Sequence, residues 1–548
     1  MPALVLGPLL RYAGTTDATV WVETDESCEV EVLGCRRRTF CVEGHHYALV
    51  HVRGLEPGTE TEYEVHLDGT RVWPLDDAGL PPSTITTWAE GLPVRIAFGS
   101  CRVAYPHVPP YSLTKDEHPL GREADALRVM AMRAAGDPEQ RPHALLMLGD
   151  QIYADEVAPG TCEFIRSRRD TAVPPGETLA DFEEYTRLYL ESWGEPWIRW
   201  LLSTVPSAMI FDDHDVHDDW NTSRDWIEDI RAQGWWDERI TGGFMSYWIY
   251  QHLGNLEPWA LESDELYQRV CDCEDAGPML REFAWRADRT VESAQWSFRR
   301  DIGPARLVMI DSRAGRVLDP ERRCMVDDRE WGFIEESAKA PHRHLLLGTS
   351  LPWLMATGMH DFEEWNEAIS EGAWGRPGAK LGEWLRRKYD LEHWGAFRDS
   401  FIRFCGFVEG IGAGRGGDEP PVTVIALSGD VHHAYLMEVA FERGSGVRSR
   451  VYQAVCSPFR NPLDTSERRA MGFATSRAGA VVGWLMRHSV RLPLPPIRWR
   501  MAHDKPWFDN MVGTLRLHGE TAELVLERVG GEGGDDDPAL EQVFRRTL

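Results

Sequence analysis

Apolar and polar positions alternate with a period of two over about the first 88 residues, the pattern of β-strands that bury one face. The alternation is clearest at 18–23, 28–32 and 47–52, where we predict half-buried strands. From about residue 92 the pattern changes to short, continuous apolar runs between stretches of helical periodicity. Such a pattern is typical of βαβ units around a buried parallel sheet. The sequence therefore predicts a small all-β domain followed by a larger α/β domain.

Apolar residues at helical spacing predict helices over 123–135, 185–201 and 389–404. A Trp-rich stretch at about 218–300 predicts a helical insertion, in which most of the indole rings are expected to be structural. With 548 residues the chain is long enough for several domains. The predicted limits are a β-sandwich at 1–90, an α/β domain at 91–525 and a C-terminal tail at 526–548.

Four of the apolar runs end in side chains that can bind metal ions. The carboxyl ends of parallel strands meet at one edge of a sheet, and open α/β sheets bind their ligands there, so we expect these side chains to converge. A thiol, carboxylates, a phenol and imidazoles together make a metal-ligand set. In chain order the side chains are Cys101; Asp150 and Tyr153; Asp213 and His214; and Asp430 and His432.

The order of these motifs resembles the metallophosphatase superfamily and, within it, the alkaline phosphatase D (PhoD-like) family. The resemblance covers roughly residues 90–520 and implies an α/β fold, a four-layer α/β/β/α sandwich. The motifs that carry it are GSC at 99–101, GDxxY at 149–153, DDH at 212–214, DSR at 311–313, GTSLP at 348–352 and GDVHH at 429–433.

The resemblance implies metal-dependent hydrolysis of phosphate esters by a metal-bound hydroxide at a two-metal site. It implies Fe(III) together with Ca(II), whereas the residues alone indicate only a metal. Asp150 is expected to bridge the two ions, and Asp218 or Asp219 stands where the family often carries Asn, which makes the second site more anionic. The expected metal ligands are Cys101, Asp150, Tyr153, Asp213, Asp430 and His432.

Three residues are candidates for catalytic roles. His214 is placed like the family's catalytic histidine, which stabilises or protonates the leaving alkoxide; the alternative is a histidine held by a carboxylate next to the ligands. Arg102 and Arg313 are predicted either to hold phosphate oxygens through their forked geometry or to form ion pairs at the sheet edge. The role of Glu392 stays open, as does the choice between phosphomonoesters and phosphodiesters.

Two other functions remain as alternatives. A thiol hydrolase would use Cys101 with His214 or His432, but a lone nucleophile does not explain the carboxylates and the tyrosine around it. A non-catalytic β-sandwich interaction protein would need the ligand set to be degraded, and the set is complete in this sequence.

The N-terminal part carries a second resemblance. Residues 55–65 resemble the L-x-P-G-T-x-Y signature of fibronectin type III domains, lengthened here by two residues. The resemblance implies a small β-sandwich in which the Pro57-Gly58 turn and Tyr63 form a tyrosine-corner-like contact. We expect this domain to be a packing module rather than part of the site.

The net charge and the cysteine content indicate which binding partners and which cellular compartment to expect for this protein. The formal net charge is −29, which disfavours nucleic acid as a stable partner, so a phosphate substrate must be attracted locally. The ten cysteines form no tight framework, which fits a reducing compartment. No signal peptide or membrane-spanning run is recognised, so the protein is predicted to be cytoplasmic. The oligomeric state stays unknown.

Residues 443–500 are unusually basic for this acidic chain. They hold eleven arginines, opposed only by Asp464 and Glu467, and include a short apolar run at 478–486. Three roles stay open: ion pairs with the protein's own acidic surface, a lid over the metal edge that presents Arg487 and Arg491 to phosphate, or contact with an anionic membrane surface.

Overall fold

The computed structural model describes residues 1–75, 79–339, 341–415, 419–530 and 538–548. Its N-terminal part is all β, as the period-two pattern predicts, because alternate side chains of the strands fill one apolar core. Two four-stranded antiparallel sheets, β1-β2-β6-β5 and β4-β3-β8-β9, lie beside the short pair β7-β10. The strands are β1 Leu4–Ala13, β2 Asp17–Thr24, β3 Glu29–Val32, β4 Cys35–Arg38, β5 Phe40–Val42, β6 His45–Arg53, β7 Glu60–Glu62, β8 Val65–Leu67, β9 Thr70–Trp73 and β10 Thr84–Thr86.

Tyr63 does not form the expected tyrosine corner. Its buried hydroxyl donates a hydrogen bond to the carbonyl of Ser203, 2.6 Å away and 140 residues further along the chain. The contact arises because a later helix packs against this part of the β domain. Tyr63 therefore ties the N-terminal domain to the larger one instead of closing a local turn.

Two sheets form the centre of the larger domain. The first is six-stranded in the order β13-β12-β11-β21-β22-β23, and the second is seven-stranded in the order β14-β15-β16-β17-β19-β18-β20. Strands β11 to β13 run parallel, as do β15, β16, β17 and β19. The strands are β11 Val94–Gly99, β12 Ala144–Leu148, β13 Ser207–Ile210, β14 Phe298–Ile302, β15 Ala305–Ile310, β16 His344–Thr349, β17 Thr423–Ser428, β18 Tyr435–Ala440, β19 Arg450–Val455, β20 Arg498–Met501, β21 Met511–His518, β22 Thr521–Gly530 and β23 Ala539–Thr547.

The helices cover the outer faces of the two sheets and form the insertion between β13 and β14. A π-helical segment, Tyr247–His252, joins α6 to α7. The helices are α1 Ala126–Gly136, α2 Pro159–Arg168, α3 Phe182–Trp193, α4 Pro196–Thr204, α5 Arg224–Arg231, α6 Trp236–Ser246, α7 Leu253–Asn255, α8 Pro258–Ser263, α9 Glu265–Asp272, α10 Gly277–Arg289, α11 Asp328–Ser337, α12 Thr357–Ser370, α13 Gly375–Lys388, α14 Arg398–Ala413, α15 Thr465–Ala474 and α16 Arg477–Ser489.

Successive side chains of the central strands point to opposite faces of their sheet, and this alternation produces a sandwich of four layers. In β16, Leu346 packs in the same core as Phe98 of the first sheet. Its neighbours Leu345 and Leu347 pack in a second core with side chains of the outer helices, among them Trp331 of α11. Successive side chains of a strand point to opposite faces, so a strand buried on both faces reads as one apolar run. The predicted α/β/β/α sandwich is confirmed.

Three predicted elements differ from the structure. The helix expected over 185–201 is two helices, α3 and α4, because Pro196 cannot continue a helix and begins a new one. The helix expected over 389–404 begins only at Arg398, after a short turn at Trp394–Ala396. Residues 526–548, predicted as a tail, contain the end of β22 and all of β23, which pair antiparallel at the sheet edge.

Candidate metal centre

The loops after β11 and β12 bring together three of the predicted ligands. The Asp150 Oδ2 atom lies 3.2 Å from the Cys101 thiol sulfur and 3.4 Å from the Tyr153 hydroxyl oxygen. The backbone supports this approach, since the Cys101 amide donates to the Gly149 carbonyl at 3.2 Å. All three side chains are buried, so water does not compete for their donor atoms.

The acidic segment after β13 adjoins this group. One carboxylate oxygen from each of Asp150, Asp212 and Asp213 lies within 4.8 Å of the others. A second group of the same compactness contains Asp213, His214 and Asp218. Asp213 belongs to both groups, and Asp150 joins the acidic group to the thiol and the phenol. Asp212 is absent from the predicted ligands, although the DDH motif contains it.

Asp430 reaches the edge from the loop after β17. Its carbonyl oxygen lies 3.5 Å from the Cys101 sulfur, and its amide donates to the Ser100 hydroxyl at 3.0 Å. Its Oδ2 atom lies 3.0 Å from His393 Nε2, and His393 Nδ1 lies 2.6 Å from Glu363. The sequence did not predict that His393 and Glu363 belong to the site, because 37 and 67 residues separate them from Asp430 in the chain.

His432 follows Asp430 on the same loop. Burial lowers its pKa to about 3, with a further contribution from the positive charge of Lys115, so its ring is neutral and has an imidazole nitrogen to offer a metal. The neighbouring His433 has other contacts: its Nδ1 atom lies 2.6 Å from the Val431 carbonyl, and its ring packs on Tyr435.

His214 lies at the accessible side of the cluster. Its Nδ1 atom is 2.9 Å from Asp155 Oδ1, its ring stacks on Tyr153 at 4.5 Å, and its side chain is 22% exposed. Burial lowers the pKa of His214, but the negative charges of Asp155 and Asp213 outweigh that effect and raise it well above the ordinary value. The charged form of the imidazole is therefore favoured, and its Nε2 atom lies 3.6 Å from the exposed side chain of Asp218.

Neither predicted arginine is placed to hold substrate phosphate. Arg102 donates to Asp125 at 2.8 Å and to the Ser192 carbonyl at 2.9 Å, and it is fully enclosed. Arg313 has no exposed surface and lies between Asp212, at 2.6 Å, and Glu392, also at 2.6 Å. The ion-pair alternative is therefore the correct one for both. Arg313 therefore offsets part of the negative charge of Asp212 and Asp213, and Glu392 is its further counter-ion.

Buried carboxylate oxygens without a hydrogen-bond donor are the clearest electrostatic feature of the site. Burial raises the pKa of Asp150 and of Asp212 well above the ordinary aspartate value, and it raises that of Asp219 to about 10. Within the described part of the chain, one oxygen of each of these three has no hydrogen-bond donor. A buried oxygen without a partner is costly, and a bound cation removes that cost. The donor set therefore fits metal ions.

The backbone at the site is also unusual. Cys101, Asp150, Asp430 and His432 have φ angles of 56°, 49°, 67° and 50°. Residues with a Cβ rarely adopt this left-handed region, and such conformations concentrate at functional sites where the surrounding structure enforces them. Four of the six predicted ligands are held in this way, which is a signal of function independent of residue type.

Comparison with models of known protein families identifies both parts of the chain. A family model described as "PhoD-like phosphatase" matches residues 126–469, and a model of a domain of unknown function, DUF7800, matches residues 1–85. The chain belongs to the PhoD-like phosphatase family. The predicted resemblance is thereby confirmed, whereas the fibronectin type III likeness of the N-terminal domain is not shown.

One solved structure extends the match to the fold of this PhoD-like phosphatase. A structure titled "Structure of PhoD" matches with a TM-score of 0.60 and 11% identity, over 99% of this chain and 90% of that one. Purple acid phosphatase PPD1 from yellow lupin (Lupinus luteus) seeds matches with a TM-score of 0.46 and 11% identity, over 100% and 73%. A search of curated proteins gave no significant match.

The thiol-hydrolase alternative does not fit this site. Burial, together with the charges of Asp150 and Asp430, raises the pKa of the Cys101 thiol well above its ordinary value. A nucleophilic cysteine needs the opposite shift and a neighbouring base. The side-chain partners of Cys101 in the described structure are Ser100, Asp150 and Ser457, and no histidine is among them.

Proposed function

We propose that this PhoD-like phosphatase hydrolyses phosphate esters with the help of metal ions held at the strand edge described above. The observation that carries the proposal is that Asp150 and Asp212 each bury one carboxylate oxygen without a hydrogen-bond donor among the described residues. The other oxygen of Asp150 lies beside the thiol of Cys101 and the phenol of Tyr153. If the cluster had only a structural role, positively charged side chains of the protein would be expected to neutralise it. Arg313 supplies only part of the required positive charge.

The donor atoms suit two kinds of ion. Cys101, Tyr153 and the neutral ring of His432 fit Fe(III), whereas the hard oxygens of Asp213 and Asp430 fit Ca(II). Asp150 contacts Cys101 and Tyr153 and groups with Asp213, so it would be the ligand common to both ions. When bound, the ions supply the positive charge that polarises the phosphoryl group and activates water.

His214 is the proposed proton donor to the leaving group. Asp155 accepts from Nδ1 and favours the charged ring, and the other nitrogen, Nε2, lies beside the exposed Asp218. General-acid catalysis needs a protonated group within reach of the leaving oxygen, and such a step contributes about 10²- to 10⁴-fold. Arg313, which is enclosed, positions Asp212 and Asp213 instead of touching substrate.

Charge at the rim favours phosphodiesters over phosphomonoesters. Asp218 lies beside His214, and its side chain is 62% exposed. Burial raises the pKa of Asp218 to about 7, so this carboxylate is fully charged only above neutral pH. A monoester carries about one more negative charge than a diester there, so it is repelled more strongly. At about 4 Å in water one such repulsion costs about 1 kcal/mol, or about fivefold in rate. We therefore propose phosphodiesterase activity as the main activity and phosphomonoesterase activity as the weaker one.

The experiment compares bis(p-nitrophenyl) phosphate with p-nitrophenyl phosphate, using the full-length protein before and after metal removal by a chelator. We expect hydrolysis only in the metal-loaded protein, loss of about 10²-fold or more in His214→Asn, and no change in the control His518→Asn, an exposed histidine on β21. Asp218→Asn should raise monoester relative to diester turnover by about fivefold. Full activity without metal would refute the proposal.

A further inference from the structure

The last two helices of the basic region expose apolar side chains to solvent. In α16 the outward face holds Val481, Val482, Trp484 and Leu485, each at least 41% exposed. Phe473 at the end of α15 and Leu494 in the following loop add to it. We call these six residues the apolar patch. Large apolar side chains grouped on one exposed helix face are uncommon in soluble proteins and mark an interaction surface.

The inner face of α16 explains why the apolar residues point outward. Gly479 and Gly483 touch Gly358 of α12 so closely that a Cβ on Gly483 would lie 2.5 Å from the Gly358 carbonyl oxygen. Arg487, on the same inner face, is buried and pairs with Asp361 and Glu364, each at 2.8 Å. The usual amphipathic pattern is therefore inverted, because glycines and a paired arginine face the protein.

The rim of the apolar patch is positively charged. Arg469, Arg477 and Arg491 are exposed, and none has a carboxylate partner within the described residues. Of the eleven arginines in 443–500, only Arg468, Arg487 and Arg500 form such ion pairs there. The ion-pair role suggested by the sequence therefore accounts for a minority of them. The lid role also fails for Arg487, which is enclosed.

We propose that the α15–α16 segment binds the surface of an anionic membrane, with the apolar patch inserted at the interface and its arginines on lipid phosphates. An interfacial helix combines a Trp- and Leu-bearing face with flanking cations, as here. No described helix is long and apolar enough to cross a bilayer. The proposal goes beyond the proposed hydrolytic function and does not depend on it.

Two observations favour lipid over a second copy of the chain. A symmetric dimer through this face would bring the same three arginines of both copies together, which is repulsive. Anionic lipid offers the opposite charge and an apolar layer for side chains that protrude from a convex helix. The net charge of −29 opposes approach to such a membrane, but at physiological ionic strength charges beyond about 8 Å are screened, so the local arginines decide.

The test measures co-sedimentation of the full-length protein with vesicles of phosphatidylcholine alone and of equal parts phosphatidylcholine and phosphatidylglycerol. We expect binding to the second kind only, weakened by salt. Trp484→Ala combined with Leu485→Ala should lower the partition coefficient at least about tenfold, through lost apolar burial. Arg477→Gln and Arg491→Gln should each lower it about fivefold. Circular dichroism checks that every variant is folded.

The matched control is Trp285→Ala. Trp285 lies on α10 and is 51% exposed, against 50% for Trp484, so the control removes an equally exposed indole from another surface. We expect it to leave vesicle binding unchanged. Absence of binding to anionic vesicles overturns the proposal, as does equal weakening by the Trp285 and Trp484 variants. Sedimentation velocity supplies a further check: a dimer that Trp484→Ala dissociates, without vesicle binding, assigns the apolar patch to a second copy instead.

Discussion

Replacing Asp150 by Asn should change the stability of the protein in opposite ways with and without metal. The side chain is buried, one of its oxygens has no donor within the described residues, and burial raises its pKa well above the ordinary value. In metal-free protein this shift favours the protonated form of Asp150, and Asn is close to that form in shape and charge. With metal bound, Asp150 is proposed to be an anionic ligand, a role that the neutral Asn side chain cannot fill.

The pH dependence has a definite sign. Below the ordinary aspartate pKa of about 3.9 the carboxyl is protonated in both folded and unfolded chains and contributes nothing. Above it the unfolded chain ionises while the metal-free folded chain keeps its proton, so stability falls by up to about 1.4 kcal/mol per pH unit. Asp150→Asn removes this loss, so the metal-free variant should be the more stable protein at neutral pH.

Bound metal should reverse the order of stability, so that the wild type becomes more stable than Asp150→Asn. At a free metal concentration about 100-fold above Kd, one bound ion stabilises the fold by about 2.7 kcal/mol. With an unfolding entropy of about 2.1 cal/mol/K per residue over 548 residues, that is about 2 °C in Tm per ion. The wild type should show this rise, and Asp150→Asn should show little of it and have no hydrolytic activity.

The assay is a set of thermal unfolding curves from pH 4 to 8, with chelator and with added metal, alongside elemental analysis. Asp272→Asn, which removes an exposed carboxylate on α9, is the control and should follow the wild type under all conditions. Equal destabilisation of Asp150→Asn with and without metal would refute the reasoning, because it would make Asp150 a structural residue. A variant with full metal content would refute the bridging role.

Three further predictions address other parts of the molecule. If Tyr153 binds Fe(III) as phenolate, the metal-loaded protein should absorb visible light, and Tyr153→Phe should abolish that band; a colourless, iron-free, active protein would contradict the assignment. Tyr63→Phe should cost about 1 kcal/mol in denaturant unfolding, through the lost bond to the Ser203 carbonyl, without changing hydrolysis. Gly483→Ala should destabilise by about 1–3 kcal/mol, through overlap with α12. Its control, Gly406→Ala on the open face of α14, should be neutral or stabilising.

The sequence was sufficient to predict the α/β/β/α sandwich and the sheet edge at which the candidate ligands lie. A strand buried on both faces must be apolar throughout, so β11, β12 and β17 stand out as runs, and the polar residues after them mark the sheet edge. Parallel strands end at the same edge, which is why local motifs at 99–101, 149–153 and 429–433 predict a site made from distant parts of the chain.

The sequence alone could not assign the role of a residue whose contact partner lies far away in the chain. Arg313 reads equally well as a phosphate clamp or an ion pair until the structure encloses it between Asp212 and Glu392, 101 and 79 residues away. The contact of His393 with Asp430 depends on the packing of α12, which holds Glu363, near the loop after β17, and only the tertiary structure shows it.

The tertiary structure also decided which surface α16 presents. Its sequence is a short apolar run between arginines, and periodicity does not tell whether those side chains are buried or exposed. The close approach of Gly483 to Gly358 and the buried pairing of Arg487 fix the helix orientation, and so direct Trp484 and Leu485 outward. Composition and periodicity are local properties of the chain, whereas the orientation of a helix is set by the shape and charge of what it packs against.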